Sequence, residues 1–506
     1  MKTSTLRRRS LRHYWRTNIA VIGGVAIAVA VLSGALMVGV SVRASLRDLV
    51  LQRLGKADRV VVSQGFFREQ LASAFDQAAP LVIAEGFVVA PETGRRASRV
   101  QVYAVDDRFW RFHDLDRVKT PGANEALLSE GLAAELAAIA GQAVILRVES
   151  SSSIPTESLQ GRKDDVGRSV RLTVRQVLPR EDLGEFSLSP RQGAVRAIFV
   201  PLARMQTLLE QRDRANAIVI AGLDRAGVER ILGQSALVED FGLRVRALDL
   251  LGAIAVDTRS TILSDASASA ATRVAERSGL HVIPTLTYLA NSIRAGDRVI
   301  PYSTITGIDL AALGWVGVQE QSVKPGAIVL NDWAAKDLQA SVGDTVTVDY
   351  FVWAAEGRLH TQTAEFRVAR IVPIMGPAAD RDLVPEYPGI TDSDRVADWD
   401  PPFPVDLNRV RPIDEEYWKR YRATPKAFIP IERGQQLWSS RHGGLTALRL
   451  IPQPEAPLGE ARDQFEKALR AELDPLTMGF SVYDVRAEGL AASSGATDFG
   501  EYFTYF

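Results

Sequence analysis

Apolar and polar positions alternate along most of this chain, with one long exception. From Asn18 to Val42 the stretch NIAVIGGVAIAVAVLSGALMVGVSV holds no charged side chain, in a chain that is 24% charged. As a helix, Ile19 to Val42 reaches roughly 36 Å, enough to cross a hydrocarbon core of ~30 Å with some tilt. Ala26-Ile27-Ala28 and Ala28-Val29-Ala30 offer peptidase-like patterns, but a signal peptide has a shorter apolar core, so a retained anchor over 18–42 is expected. Past the span, Val42, Leu46, Leu49, Val50 and Leu54 keep helical spacing with Arg43, Arg47, Asp48 and Arg53 between them. The helix should therefore continue beyond the bilayer as a stalk over 43–56.

Strand and helix periods then alternate in a pattern that occurs twice. LSEGLAAELAAIAGQAVIL from Leu128 and LNDWAAKDLQASVGDTVTV from Leu330 each read as strand end, capped helix, glycine and second strand. Ser129 and Asn331 fall at the N-caps, Leu136 matches Leu338, and Gly141 and Gly343 are read as helix stops. VQVYAVD, ending at Asp106, matches STITGID, ending at Asp309. Pro179 faces Pro373, and Pro201 faces Pro430. The pattern predicts two related α+β modules, 57–255 and 256–452, each burying one face of its strands against helices.

The second module carries 35 extra residues within a Pro-rich, acidic segment, about 374–425. It is expected to run as an extended surface loop ending in a short helix near Asp414 to Tyr421. Trp399, Phe403, Tyr417 and Trp418 on this loop are candidate partner-docking residues, with packing back on their own domain as the alternative. Asp392, Asp394, Asp398 and Asp400 lack the glycine and terminal glutamate of an EF-hand, so a solvated acidic loop is expected there.

Charge sets the topology. Lys2, Arg7, Arg8, Arg9, Arg12 and Arg16 precede the span, and the first acid is Asp48. Arg7, Arg8, Arg9, Arg12 and Arg16 are the topology determinants: they place the N-terminus in the cytoplasm and everything after Val42 outside it. Leu6, Leu11, Tyr14 and Trp15 among them could lay residues 1–17 along the membrane surface as an amphipathic helix; a disordered basic signal is the other reading. A net charge of -1 with no basic surface beyond these residues argues against a nucleic-acid partner. In the span, Ala20, Gly24 and Ala28, with Ala30 and Gly34 on a second row, form small-residue rows suited to helix packing.

Catalytic chemistry is not expected. There is no GxxxxGK[ST], GxSxG or HExxH and no cysteine, and His13, His113, His281, His360 and His442 are too scattered for a metal site. The serines from Ser150 to Ser153 read as a flexible loop. Neither a cofactor nor a metal is expected.

The segment SLRHYWRTNIAVIGGVAIAVAVLSGALMVGVSVRASLRDLVLQRLGKAD, Ser10 to Asp58, resembles the start of MacB/FtsX-like ABC transporter permeases, as do TPKAFIPI from Thr424 and the ending ASSGATDFGEYFTYF. The resemblance implies a membrane helix extended as a stalk, a MacB-like periplasmic core built of the two modules, and a helix in 453–506 returning toward a second span. In such permeases further membrane helices follow; Tyr502, Phe503, Tyr505 and Phe506 resemble the aromatic belt of that next span. The resemblance further implies a separate cytoplasmic ABC ATPase, a second permease copy, contact with membrane lipid, and cargo or a partner outside an inner membrane. From another class, a single-pass anchored scaffold that binds proteins outside the membrane would share the anchor and the duplication.

Overall fold

Apolar from end to end, the predicted span winds into a helix that continues without interruption into the stalk. In the computed structural model, residues 3–148, 167–191, 193–311, 325–353, 358–387, 389–401 and 403–493 are described. The chain begins with α1 (Thr3–His13) and α2 (Trp15–Leu54). At 40 residues, α2 is about 60 Å long. It is the one helix among the described residues long and apolar enough to cross a membrane, and none of its apolar stretch is buried among them. Ile22 and Met37, for instance, are exposed.

The first module runs β1 (Arg59–Arg68), β2 (Ala78–Ala90), β3 (Arg95–Val105), α3 (Asp107–Phe112), β4 (Glu125–Ser129), α4 (Glu130–Leu136), β5 (Ala143–Val148), β6 (Arg168–Leu178), β7 (Ala197–Pro201), α5 (Leu202–Leu208), β8 (Arg214–Ile220) and α6 (Arg225–Ser235). Next come β9 (Leu243–Leu248), β10 (Ala253–Thr258), α7 (Asp265–Arg277), β11 (His281–Ala295), β12 (Arg298–Ile308), β13 (Ala327–Asn331), α8 (Asp332–Leu338), β14 (Thr345–Trp353) and β15 (Leu359–Val372). The chain closes with α9 (Pro412–Tyr421), β16 (Ala427–Pro430), α10 (Ile431–Trp438), β17 (Ala447–Ile451), α11 (Leu458–Glu472), β18 (Phe480–Tyr483) and α12 (Val485–Ser493).

The strands form two nine-stranded sheets with the same plan. In the first, β2-β3-β7-β4-β6-β5 closes on itself through a β2–β5 pairing, and β8, β1 and β18 extend from the start of β2. In the second, β11-β12-β16-β13-β15-β14 closes through β11–β14, and β17, β10 and β9 extend from the start of β11. The fold is thus α+β and duplicated. Closure leaves each six-stranded barrel without a free edge. Val88, Val102, Leu128 and Leu146 fill the first barrel, and Ile293, Ile305, Leu330 and Val348 fill the second.

Both expected N-caps are in place. Ser129 Oγ accepts from Leu132 N at 3.1 Å and Asn331 Oδ1 accepts from Ala334 N at 2.7 Å. Each also ties its helix to the chain entering the next strand, Ser129 through the Val195 carbonyl and the Ala197 amide, Asn331 through the Pro425 carbonyl. The expected helix stops differ. The left-handed residues ending α4 and α8 are Ala137 (φ 49°) and Gln339 (φ 51°), while Gly141 and Gly343 shape the following turns at φ 89° and 101°.

The expected boundary at 255 falls inside β10, because the modules exchange their last strands. After α6, the chain leaves the first sheet and adds β9 to the second, antiparallel to β10. After α11, it leaves the second sheet and adds β18 to the first, antiparallel to β1. Arg470 of α11 donates from Nε to the Ala236 carbonyl at 2.8 Å beside this crossing, and Phe480 of β18 contacts Phe67 and Phe241. Gly242 and Gly479, at φ 76° and 97°, stand at the same place before each exchanged strand. The serine run 150–153 and the residues from 494 onward, including Tyr502, Phe503, Tyr505 and Phe506, lie outside the described residues.

Candidate functional site at the junction of stalk and core

The features that set this protein apart from an ordinary duplicated domain meet where α2 enters the first module. Arg53, in the last turn of α2, is buried. Its Nε and Nη2 donate to Glu185 Oε2 at 3.0 and 2.8 Å, Nη1 to the Arg191 carbonyl at 2.5 Å, and Nη2 to the Gly193 carbonyl at 2.8 Å. The Ser187 amide donates back to the Arg53 carbonyl at 3.2 Å. Glu185 also meets Arg180 at 2.9 Å. Burial pushes the Glu185 carboxyl up, but hydrogen bonds and charge from Arg53 and Arg180 outweigh it and hold the group below the usual carboxylate range. A planar, permanently charged fork that satisfies a carboxylate and two carbonyls is a specific anchor for a helix end.

Just beyond, Gly55 turns the chain at φ 55°. A Cβ there would sit 2.5 Å from Nδ1 of His113. His113 lies against Phe109, Phe112 and Phe186 and accepts from the Lys56 amide at 3.1 Å through Nδ1. Burial, reinforced by the Lys56 charge, lowers the imidazole from 6.5 to about 3, so it is neutral. Leu54, Ala57, Trp110, Leu183 and Phe186 complete an apolar socket around the helix end.

The second leg attaches beside the first. α12 follows β18, which pairs with β1, the strand that α2 feeds. Arg486 donates to Asp58 Oδ1 at 2.5 Å and to the Gly55 carbonyl at 2.8 Å, and Arg59 meets Asp484 at 2.6 Å. Farther along α12, Gly489 lies against α2 so closely that a Cβ would be 2.7 Å from Val50 Cγ1. α12 therefore runs back along α2, and the two helices attach to adjacent strands of one sheet. Sequence reasoning placed a returning helix but missed Arg53 and Glu185 as partners, since 132 residues separate them.

Other expected site residues are placed as follows. Arg7, Arg8, Arg9 and Arg12 are exposed on α1, and Arg16 is exposed in the first turn of α2. Ala20, Gly24, Ala28, Ala30 and Gly34 lie exposed on α2, and nothing among the other described residues is within 4 Å of a Cβ built at Gly24 or Gly34. Trp399, Phe403, Tyr417 and Trp418 are all buried. They pack with Leu289, Tyr302 and Tyr387 into a small core between the insertion and the β11–β12 hairpin, or, for Tyr417, against Trp333 and Asn331. As docking residues they are corrected: their rings are spent on fixing the insertion to its own module. Lys426, also unforeseen, is buried over the faces of Trp333 and Tyr417 at 4.8 and 4.9 Å, and burial lowers its ammonium to about 8. Asp392, Asp394, Asp398 and Asp400 are exposed, and no cluster of acids or histidines among the described residues has a metal-holding arrangement. A cleft of 540 Å³ lies where the exchanged strands cross, between Phe241, Leu243 and Thr258 on one side and Met478, Phe480 and Gln64 on the other.

A membrane-type helix clamped to a duplicated α+β body with two closed barrels defines a membrane-anchored protein whose bulk stands outside the bilayer. Residues 19–234, from the span to the end of α6, match the model of the MacB-like periplasmic core domain. This stretch is thus a MacB-like periplasmic core domain. Among solved structures it is similar to the periplasmic region of MacB from Actinobacillus actinomycetemcomitans, at 12% identity over 46% of this chain and 86% of that one, with a TM-score of 0.25. It is also similar to a domain of a putative permease protein from Porphyromonas gingivalis, at 8% identity over 40% and 70%, with a TM-score of 0.21. No curated protein matches.

Proposed function

We propose that this protein is a permease subunit of an ABC transporter that couples a separate cytoplasmic ATPase to its extracytoplasmic modules, for export or for transmitting force across an inner membrane. The observation that carries the reading is the attachment of both helical legs, α2 and α12, to neighbouring strands of one sheet, with Arg53 locked into Glu185. A helix is stiff along its axis, so a displacement at the cytoplasmic end arrives at this sheet, where packed modules respond by hinge or shear. In this reading α1 and its arginines face the cytoplasm near the ATPase, lipid surrounds α2, the small-residue rows meet further helices or a second permease copy, and the modules meet cargo. ATP hydrolysis belongs to the partner chain.

Purification of the full chain from native membranes in mild detergent tests the reading. A P-loop ATPase recovered in stoichiometric amount supports it. An anchored chain recovered without one supports the scaffold reading instead. Protease digestion of spheroplasts tests orientation separately: cleavage of the modules from the cytoplasmic side alone would overturn it.

A further inference from the structure

The two barrels are built alike but differ in the charge of one outward face. In the first, the register runs across four strands as Arg96 on β3, Val89 on β2, Ile145 on β5 and Arg171 on β6. The next rung holds Phe87, Arg147 and Ser169. The equivalent rungs of the second barrel read Val299, Arg294, Thr347 and Glu365, then Ser292, Asp349 and Thr363. Arg147 thus stands where the other barrel has Asp349, and Arg171 where it has Glu365.

The second barrel settles its own charge. Asp349 accepts from Ser292 Oγ at 2.8 Å, Arg294 Nη2 at 3.0 Å and Thr363 Oγ1 at 2.6 Å. The first has no such centre among the described residues. Its strands β2, β3, β5 and β6 carry seven arginines and one acid, Glu85. Arg96, Arg147 and Arg171 are exposed and make no ion pair among the described residues, while Phe87, Val89 and Ile145 between them are half-buried.

We propose that this face of the first barrel docks a protein partner through an acidic segment that lies across the strands. The outer arginines of the first rung are about 14 Å apart across three strand spacings, with an apolar strip between them. Carboxylates at both ends and an apolar residue over Val89 and Ile145 would use all four positions. A free inorganic anion would leave the strip uncovered. A second copy of this chain, through the exposed Asp392, Asp394 and Asp398 of its insertion, is the competing occupant, and the oligomer measurement below separates it from a different protein. The proposal stands independently of whether ATP hydrolysis drives the chain.

The absence of cysteine allows one site to be watched at a time. An environment-sensitive fluorophore on I145C of the full chain in detergent micelles is titrated with poly-L-glutamate, with the same label on T347C of the second barrel as reference. The expected result is a saturable shift at position 145 and none at 347, with the midpoint moved at least tenfold by R147D/R171E. Those substitutions install residues that the sister barrel already tolerates, and R171E alone should move it at least threefold. An equal response at both labels, or a midpoint unchanged in both variants, overturns the proposal. So does a response to phosphatidylglycerol vesicles but not to the peptide, or a wild-type oligomer that R147D/R171E dissociates.

Discussion

Replacing Arg53 with alanine tests the anchor most directly. The change removes the cation from a buried carboxylate and strips hydrogen bonds from the Arg191 and Gly193 carbonyls. Breaking a buried pair from one side costs about 3–5 kcal/mol. Arg180 still faces Glu185 from a half-exposed position, so the lower end, about 3 kcal/mol, applies here. That corresponds to a rise on the order of 100-fold in the constant for opening the junction. Hydrogen exchange in detergent micelles reads it at two amides, Ser187, bonded to the Arg53 carbonyl, and Lys56, bonded to His113. E185L should do similar damage by stranding the arginine, whereas R53M/E185L, which removes both charges together, should recover most of the protection. The wild-type contribution is present above the ordinary glutamate value of 4.5 and is lost as pH falls through the lower folded value, so R53A should also flatten the acid limb. Less than a tenfold change at both amides, or a double variant worse than either single one, would refute the assignment of Arg53 as the anchor.

His113 acts in a different window. The unfolded chain takes up its proton near 6.5 and the folded chain only near 3, so stability falls as pH drops through that interval, by at most about 1.4 kcal/mol per unit; in H113L, thermal denaturation between pH 6.5 and 4.5 should depend less on pH. G489A should push α12 off α2 through Val50, raising exchange at the start of α12, and V50A added to it should restore the wild-type pattern. Ending the chain before residue 474 removes β18 and uncovers Val61, Phe67 and Val228 of the first module; the product should aggregate, and a peptide of residues 474–493 supplied during refolding should recover soluble protein measurable by size-exclusion chromatography.

Local signals were the legible ones. The span, the caps at Ser129 and Asn331 and the short helix at Pro412–Tyr421 each depend on residues a few positions apart, and the repeat exposed the duplication because both copies keep those signals. The helix stops were misjudged because Ala137 and Gln339 accept left-handed geometry that glycine usually takes, leaving the glycines to the next turn. The insertion's aromatics looked available because prolines around them suggested an exposed loop, yet Tyr387 and Trp418 find partners on β11 and within the loop itself. Strand exchange is a choice between two equivalent edges, and nothing within β9 or β18 states which one each will join. The matched Gly242 and Gly479 could have shown that the repeat extends one strand past the modules expected from sequence.

That exchange bears on how the protein is made. The edge of β1 stays open until the ribosome has supplied its neighbour, since Val60 pairs with Tyr483 and roughly four hundred residues are synthesised between them. At about 5–20 residues per second the wait is some 20–80 s. Through that time the first-begun sheet lacks its last strand, so it is completed only after the second sheet has been synthesised.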